Sequence, residues 1–107
     1  MMDQKYINVS FQEAKKIIDT QNCIILDVRT DEEFYTGHAE GAVNLDVDAI
    51  NSETASEIIP DKTTPILVYC KTGERAILAA EVLSELGYKQ IYNIGSLVEW
   101  PYGLSYD

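Results

Sequence analysis

The chain alternates short apolar runs with stretches whose apolar residues recur at helical spacing. "KYINV", residues 5–9, reads as a short strand. Ser10 follows it with Glu13 three residues on, the spacing of a capping box, so a helix is predicted with Phe11, Ala14, Ile17 and Ile18 inward. "CIILDV", residues 23–28, is apolar at consecutive positions, as in a strand covered on both faces. Thr30 and Glu33 repeat the capping-box spacing and predict a short helix over "DEEFYT", stopped by Gly37. "AVNL" predicts a third strand. Val47, Ile50, Thr54 and Ile58 then fall on one helical face that ends at Pro60. "ILVYC", residues 66–70, is a second strand apolar throughout. The next segment carries Ala79, Val82, Leu83 and Leu86 at helical spacing, with Gly87 as its stop. "QIYNI" predicts a fifth strand, and "SLVEW" a last short turn of helix before Pro101.

Strands alternating with helices give an α/β fold. The expectation is a single domain over residues 1–107, with a mainly parallel five-stranded sheet and helices on both faces. In such sheets ligands bind beyond the carboxyl ends of the strands, and Cys70 stands at one of those ends.

Charge changes the list of partners. Eighteen acids against eight Lys and Arg give a formal net charge of −10, which argues against nucleic acid and anionic membranes, since both are bound through clustered cations. The opening residues include Asp3 and no apolar run behind a basic start, so no secretory signal is expected. Two cysteines, Cys23 and Cys70, are too few for a disulfide framework and fit a reducing, cytoplasmic setting. A single His and no CxxC or HExxH argue against a metal site.

The chemistry concentrates in Cys70-Lys71-Thr72-Gly73-Glu74-Arg75, where a strand must turn into a helix. Backbone amides in such a turn, together with the positive end of the helix, stabilise an anion and therefore a cysteine thiolate. Gly73 permits positive φ at the tightest point, and Arg75 adds a planar cation suited to oxyanions. A buried cysteine that merely ends a strand is the plainer alternative.

The loop, in its sequence context, resembles the CxxGxR active-site loop of single-domain rhodaneses, the rhodanese-like sulfurtransferases. "ILDVRTDEEFYTGHAEGAVNL" is similar to the family's Asp-Val-Arg and Gly-His…Gly-Ala…Asn segment. "LGYKQIYNIGSLVEWPYG" resembles its closing stretch, with Gly95-Ser96 in place of the usual two glycines and Trp100 matching a Trp. The resemblance implies a rhodanese-like fold and a sulfurtransferase. Cys70 would be the nucleophile and persulfide carrier, and Lys71, Thr72, Gly73, Glu74 and Arg75 would bind a small donor anion such as thiosulfate. A thiol or protein would accept the sulfur. No metal or cofactor is implied, because the cysteine carries the sulfur itself. Glu74 places an acid in a loop meant for anions, and Ala76 stands where many members have Ser.

Asp27 and Arg29 end the second strand near Cys70; a structural hydrogen bond or ion pair is the expectation, with direct substrate contact as the alternative. His38 invites a Cys–His catalytic reading, but the family context implies a fixed loop hydrogen bond. Cys23 reads as structural, and Trp100 as a core or pocket-wall anchor. Two other functions stand beside sulfur transfer. A non-catalytic binding module is one. A cysteine-dependent phosphatase is the other; the loop opposes it, because Arg75 comes one residue earlier than a loop encircling phosphate requires.

Overall fold

The computed structural model describes residues 5–106; Asp3 and the rest of the opening segment lie outside them. The elements run β1 (Ile7–Asn8), α1 (Phe11–Thr20), β2 (Ile24–Asp27), α2 (Asp31–Tyr35), β3 (His38–Ala39) and β4 (Val43–Asn44). A 3-10 turn (Val47–Ala49) leads to α3 (Ser52–Ile58), β5 (Ile66–Cys70), α4 (Glu74–Glu85), β6 (Ile91–Ser96) and β7 (Leu104–Ser105). Five strands form one sheet in the order β1-β6-β5-β2-β4, with every neighbouring pair parallel. The five-stranded parallel α/β architecture expected from the sequence is therefore present.

Strand periodicity assigns the two faces. On β2 and β5, Leu26, Ile66, Val68 and Cys70 point to one side and pack with Ala55 of α3 and Ala76, Ala79, Ala80 and Leu83 of α4. Ile25, Leu67 and Tyr69 point to the other, against Ala14 of α1 and the partly buried Phe11, Phe34 and Trp100. Trp100 is thus a wall of the second core, edge-on to Phe11 at 5.5 Å between ring centroids. The row of alanines on α4 lets that helix lie close over β5, which fixes where its first turn meets the strand end.

Both predicted capping boxes form. Ser10 Oγ accepts from Glu13 N at 3.0 Å, and Thr30 Oγ1 accepts from Glu33 N at 3.2 Å. Three expectations need correction. The stretch from Val47 to Ile58 is not one helix. Ile50 is extended, and Asn51 starts α3 by accepting from Glu53 N and Thr54 N, each at 2.9 Å. "SLVEW" is not helical: β6 runs on to Ser96, and a turn follows in which Trp100 N donates to Leu97 O. The sequence reading also lacked a two-stranded antiparallel sheet, β3 with β7, that pairs His38 with Ser105 and Ala39 with Leu104.

Candidate functional site

Cys70 ends the central strand, and α4 begins four residues later. The N-cap of α4 is Gly73, whose lack of a side chain leaves the first-turn amides without the usual cap. The sulfur supplies it. Cys70 Sγ accepts from Gly73 N at 2.9 Å and from Ala76 N at 3.4 Å, the latter being the amide that a capping oxygen ordinarily takes. The amides of Glu74 and Arg75, in the same turn, have no acceptor among the described residues. Gly73 reaches this geometry at φ 106°, ψ −21°, a left-handed conformation that glycine adopts without a Cβ clash.

The loop is held from the neighbouring strand. The ladder between β5 and β6 shifts register after Val68, so that Tyr69 faces Gly95 and Cys70 faces Ser96. Ser96 Oγ donates to Lys71 O at 2.5 Å, and Leu97 N donates to Cys70 O at 2.9 Å. The Gly-Ser pair is thus the bend that ties the loop down.

Cys70 itself is fully buried within the α4-side core. Its neighbours Lys71, Thr72 and Glu74 are exposed. Glu74 opens α4, where an acid is favoured by the helix dipole. Ala76 is buried in the core, so a serine there would place a hydroxyl among apolar side chains.

Arg75 follows neither arrangement that its position suggests, an open pocket-facing cation or a side chain turned to solvent. Nη1 and Nη2 donate to Glu33 Oε1 and Oε2 at 2.6 and 3.0 Å, joining α4 to α2 over the sheet's carboxyl edge. Glu33 Oε1 also accepts from Thr30 N and Thr30 Oγ1. The Arg75 hydrogen bond, with smaller help from Thr30, holds the Glu33 carboxyl at a pKa of about 2. The same bond, and the charge of Cys70 and Asp46 behind it, raise the pKa of Arg75. Glu33 appeared in the sequence only as a capping residue; its reach to Arg75 spans 42 positions and has no local signal.

Asp27 and Arg29 form a buried pair, with Arg29 Nη2 at 2.6 Å from Asp27 Oδ2 and a further bond from Nη2 to Gly37 O. Tyr69 Oη donates to the same Asp27 oxygen at 2.6 Å and accepts from Ala39 N at 3.0 Å. Burial, and then the Asp27 carboxylate, push the Tyr69 hydroxyl well above its ordinary pKa. Asn44 Nδ2 closes the network on Asp27 O and Arg29 O. This cluster pins the chain that follows β2 and hence α2 with its Glu33. His38 stands with it: its Nδ1 bonds Phe34 O at 2.9 Å, and its ring stacks on Phe34 at 3.7 Å. The donors to Cys70 Sγ are backbone amides, and His38 is not among them. Cys23 is half-buried and free, and burial raises its thiol pKa.

Beside the loop lies a cavity of about 290 Å³, lined by Arg29, Glu33, Thr36, Gly37, Lys71, Leu97, Val98 and Leu104. Among the described residues no cluster of His, Cys, Asp and Glu could hold a metal ion, and no helix is long and apolar enough to cross a membrane.

A chain so arranged has known relatives. The chain is 36% identical over 72 residues to the thiosulfate sulfurtransferase PspE of Escherichia coli (strain K12), covering 67% of this chain and 68% of that protein. It is 34% identical over 104 residues to a tRNA uridine(34) hydroxylase of Chlamydia muridarum (strain MoPn / Nigg), covering 91% of this chain but only 31% of that one. A solved E. coli "rhodanese with anions" superposes with a TM-score of 0.72 at 31% identity, over 78% of this chain and 98% of its own. The rhodanese-like domain of an Anabaena protein, 22% identical, shares the fold at a TM-score of 0.81 over 92% of this chain and 77% of its own. A family model described as the rhodanese-like domain matches residues 10–101, and on that match the chain belongs to the rhodanese-like domain family.

Proposed function

We propose that the protein is a sulfurtransferase in which Cys70 takes a sulfane sulfur from a donor and passes it to a thiophilic acceptor. The observation that carries this reading is the cap made by sulfur: Cys70 Sγ sits at the start of α4, accepting from Gly73 N and Ala76 N. Amide donors and a helix N-terminus favour the thiolate that must attack. With thiosulfate as donor, the Cys70 thiolate bonds to the outer sulfur while the S–S bond breaks. Its electron pair leaves on sulfite. The unpartnered amides of Glu74 and Arg75 are available to the developing anion. The acceptor then attacks the outer sulfur of the persulfide and restores the Cys70 thiolate.

Burial of Cys70 fits a carrier. The added sulfur stands about 2 Å beyond Sγ, so an acceptor can reach it without Cys70 leaving the core. Lys71, Thr72 and Glu74 would border the incoming donor, and Arg75 would act from its pair with Glu33. Asp27, Arg29 and His38 support the site by holding α2 and the segment after it. The acceptor is a thiol, free or on a protein. In the reducing, cytoplasmic setting that this chemistry suits, Cys23 and Cys70 stay thiols.

The test is sulfur transfer from thiosulfate to cyanide. The wild-type protein is expected to produce thiocyanate and Cys70→Ala to produce none above the uncatalysed rate; equal rates would overturn the assignment.

A further inference from the structure

The guanidinium of Arg75 is already engaged. Both of its terminal nitrogens bind the two carboxylate oxygens of Glu33, the two-pronged geometry by which arginine otherwise takes a sulfonate. Glu33 is itself fixed by Thr30 N and Thr30 Oγ1, so the carboxylate stays where α2 places it. Arg29 is turned inward to Asp27 and Gly37 O. Lys71 is the remaining cation of the loop; it is exposed and makes no ion pair with the described residues. The cavity beside it has Glu33, Leu97, Val98 and Leu104 among its lining residues. Val98 and Leu104 remain 69% and 44% exposed. Leu97 N bonds Cys70 O, so this apolar wall adjoins the backbone of the nucleophile.

We propose that Glu33 determines donor specificity: by occupying the fork of Arg75 it disfavours thiosulfate and selects a low-molecular-weight alkyl persulfide, whose carbon portion packs against Leu97, Val98 and Leu104. This rests on the sulfurtransferase reading above. Thiosulfate carries two negative charges and little apolar surface. It meets a carboxylate at the cavity wall, an arginine already neutralised, and a protein of formal charge −10. An alkyl persulfide brings at most one charge at its reacting end and carbon surface that gains from burial. A cavity near 290 Å³ suits a small organic molecule.

The step balances without an oxidant or reductant. The Cys70 thiolate bonds to the outer sulfur of R–S–SH, the S–S bond of the persulfide breaks, and its electron pair leaves on the inner sulfur as R–S⁻. The proton stays on the transferred sulfur or passes to the departing thiolate.

The experiment measures kcat/KM for thiosulfate and for cysteine persulfide, with one common acceptor, in wild type, Glu33→Gln, Arg75→Ala and the double variant. Glutamine also serves at the third position of a capping box, so Glu33→Gln keeps the start of α2. Wild type is expected to prefer cysteine persulfide, a comparison that needs no variant; a preference for thiosulfate overturns the proposal. Glu33→Gln is expected to raise the thiosulfate-to-persulfide ratio about tenfold, since one freed charge-assisted bond is worth about a decade. Most of that gain should vanish when Arg75→Ala is added. An unchanged ratio in Glu33→Gln, or a full gain that survives Arg75→Ala, overturns the proposal. If Cys70 takes sulfur from neither donor, the sulfurtransferase reading itself fails; loading with an unchanged ratio defeats selectivity alone.

Discussion

Gly73→Ala, compared with Gly87→Ala, isolates what the cysteine loop does from what its backbone costs. Gly73 and Gly87 have φ of 106° and 99°, and a Cβ added at either would meet nothing within 4 Å. Both substitutions therefore cost torsional strain alone, about 1–2 kcal/mol in the left-handed region. In a domain of this size that lowers Tm by about 5–10 °C. The two glycines differ in what their amides hold. Gly87 closes the far end of α4, donating to Ser84 O at 3.0 Å beside the Tyr88 N to Leu83 O bond. Gly73 N donates to Cys70 Sγ at 2.9 Å. Alanine keeps the N–H, but a backbone that relaxes from positive φ turns it away from Sγ; a hydrogen bond to a charged sulfur is worth about 1.5–3 kcal/mol, so loading of Cys70 should slow at least about tenfold. Melting curves and single-turnover sulfur loading, run where both variants remain folded, measure the two effects. Similar losses of Tm are expected, with slow loading in Gly73→Ala only. Wild-type loading in Gly73→Ala, or an equal loss in Gly87→Ala, would refute the account of the sulfur as the cap of α4.

The Glu33–Arg75 pair makes stability depend on acid. Its folded carboxyl titrates at about 2, below the unfolded value of about 4.3, so its contribution is complete above the unfolded value and is lost as pH falls toward about 2. The Tm gap between wild type and Glu33→Gln should narrow across that window, modestly because the pair is partly exposed; a gap independent of pH would contradict the linkage. Tyr69→Phe removes a donor to Asp27 and leaves the buried Ala39 N without its acceptor, a loss of about 1–3 kcal/mol. Denaturant unfolding checks it, and a change below about 0.5 kcal/mol would mean that the network rearranges freely. Cys23→Ser should keep sulfur transfer, since Cys23 is half-buried before β2 and has no bond to the loop. Lost turnover in a folded Cys23→Ser protein would make it a resolving cysteine.

The parts legible in the sequence are those written locally. Ser10 with Glu13 and Thr30 with Glu33 announce their helices because each box closes within three residues. "ILVYC" reads as a central strand because both faces are buried, leaving no polar position in the run. The break at Asn51 was hidden because the 3-10 turn and α3 continue one apolar face, while Asn51's cap breaks the helix without breaking the pattern. β3 and β7 went unseen because two-residue strands carry no alternation, and their pairing joins His38 to Ser105 across most of the chain. At the site, Cys70 and its glycine could be read from one short loop. The engagement of Arg75 could not, since Glu33 satisfies its own helix first and meets the arginine only through tertiary packing. Tyr69 likewise read as one more apolar strand residue; its hydroxyl finds Asp27 only when β5 lies beside β2.

The central claim is that Cys70 carries sulfur, and intact-mass spectrometry after incubation with thiosulfate or cysteine persulfide tests it most directly. Wild-type protein should gain one sulfur atom, mapped by peptide digestion to Cys70 and released by cyanide. Cys70→Ala should gain none, while melting somewhat lower because it removes a buried sulfur that accepts two amides. Sulfur found on Cys23 instead, or on neither cysteine with either donor, would contradict the account.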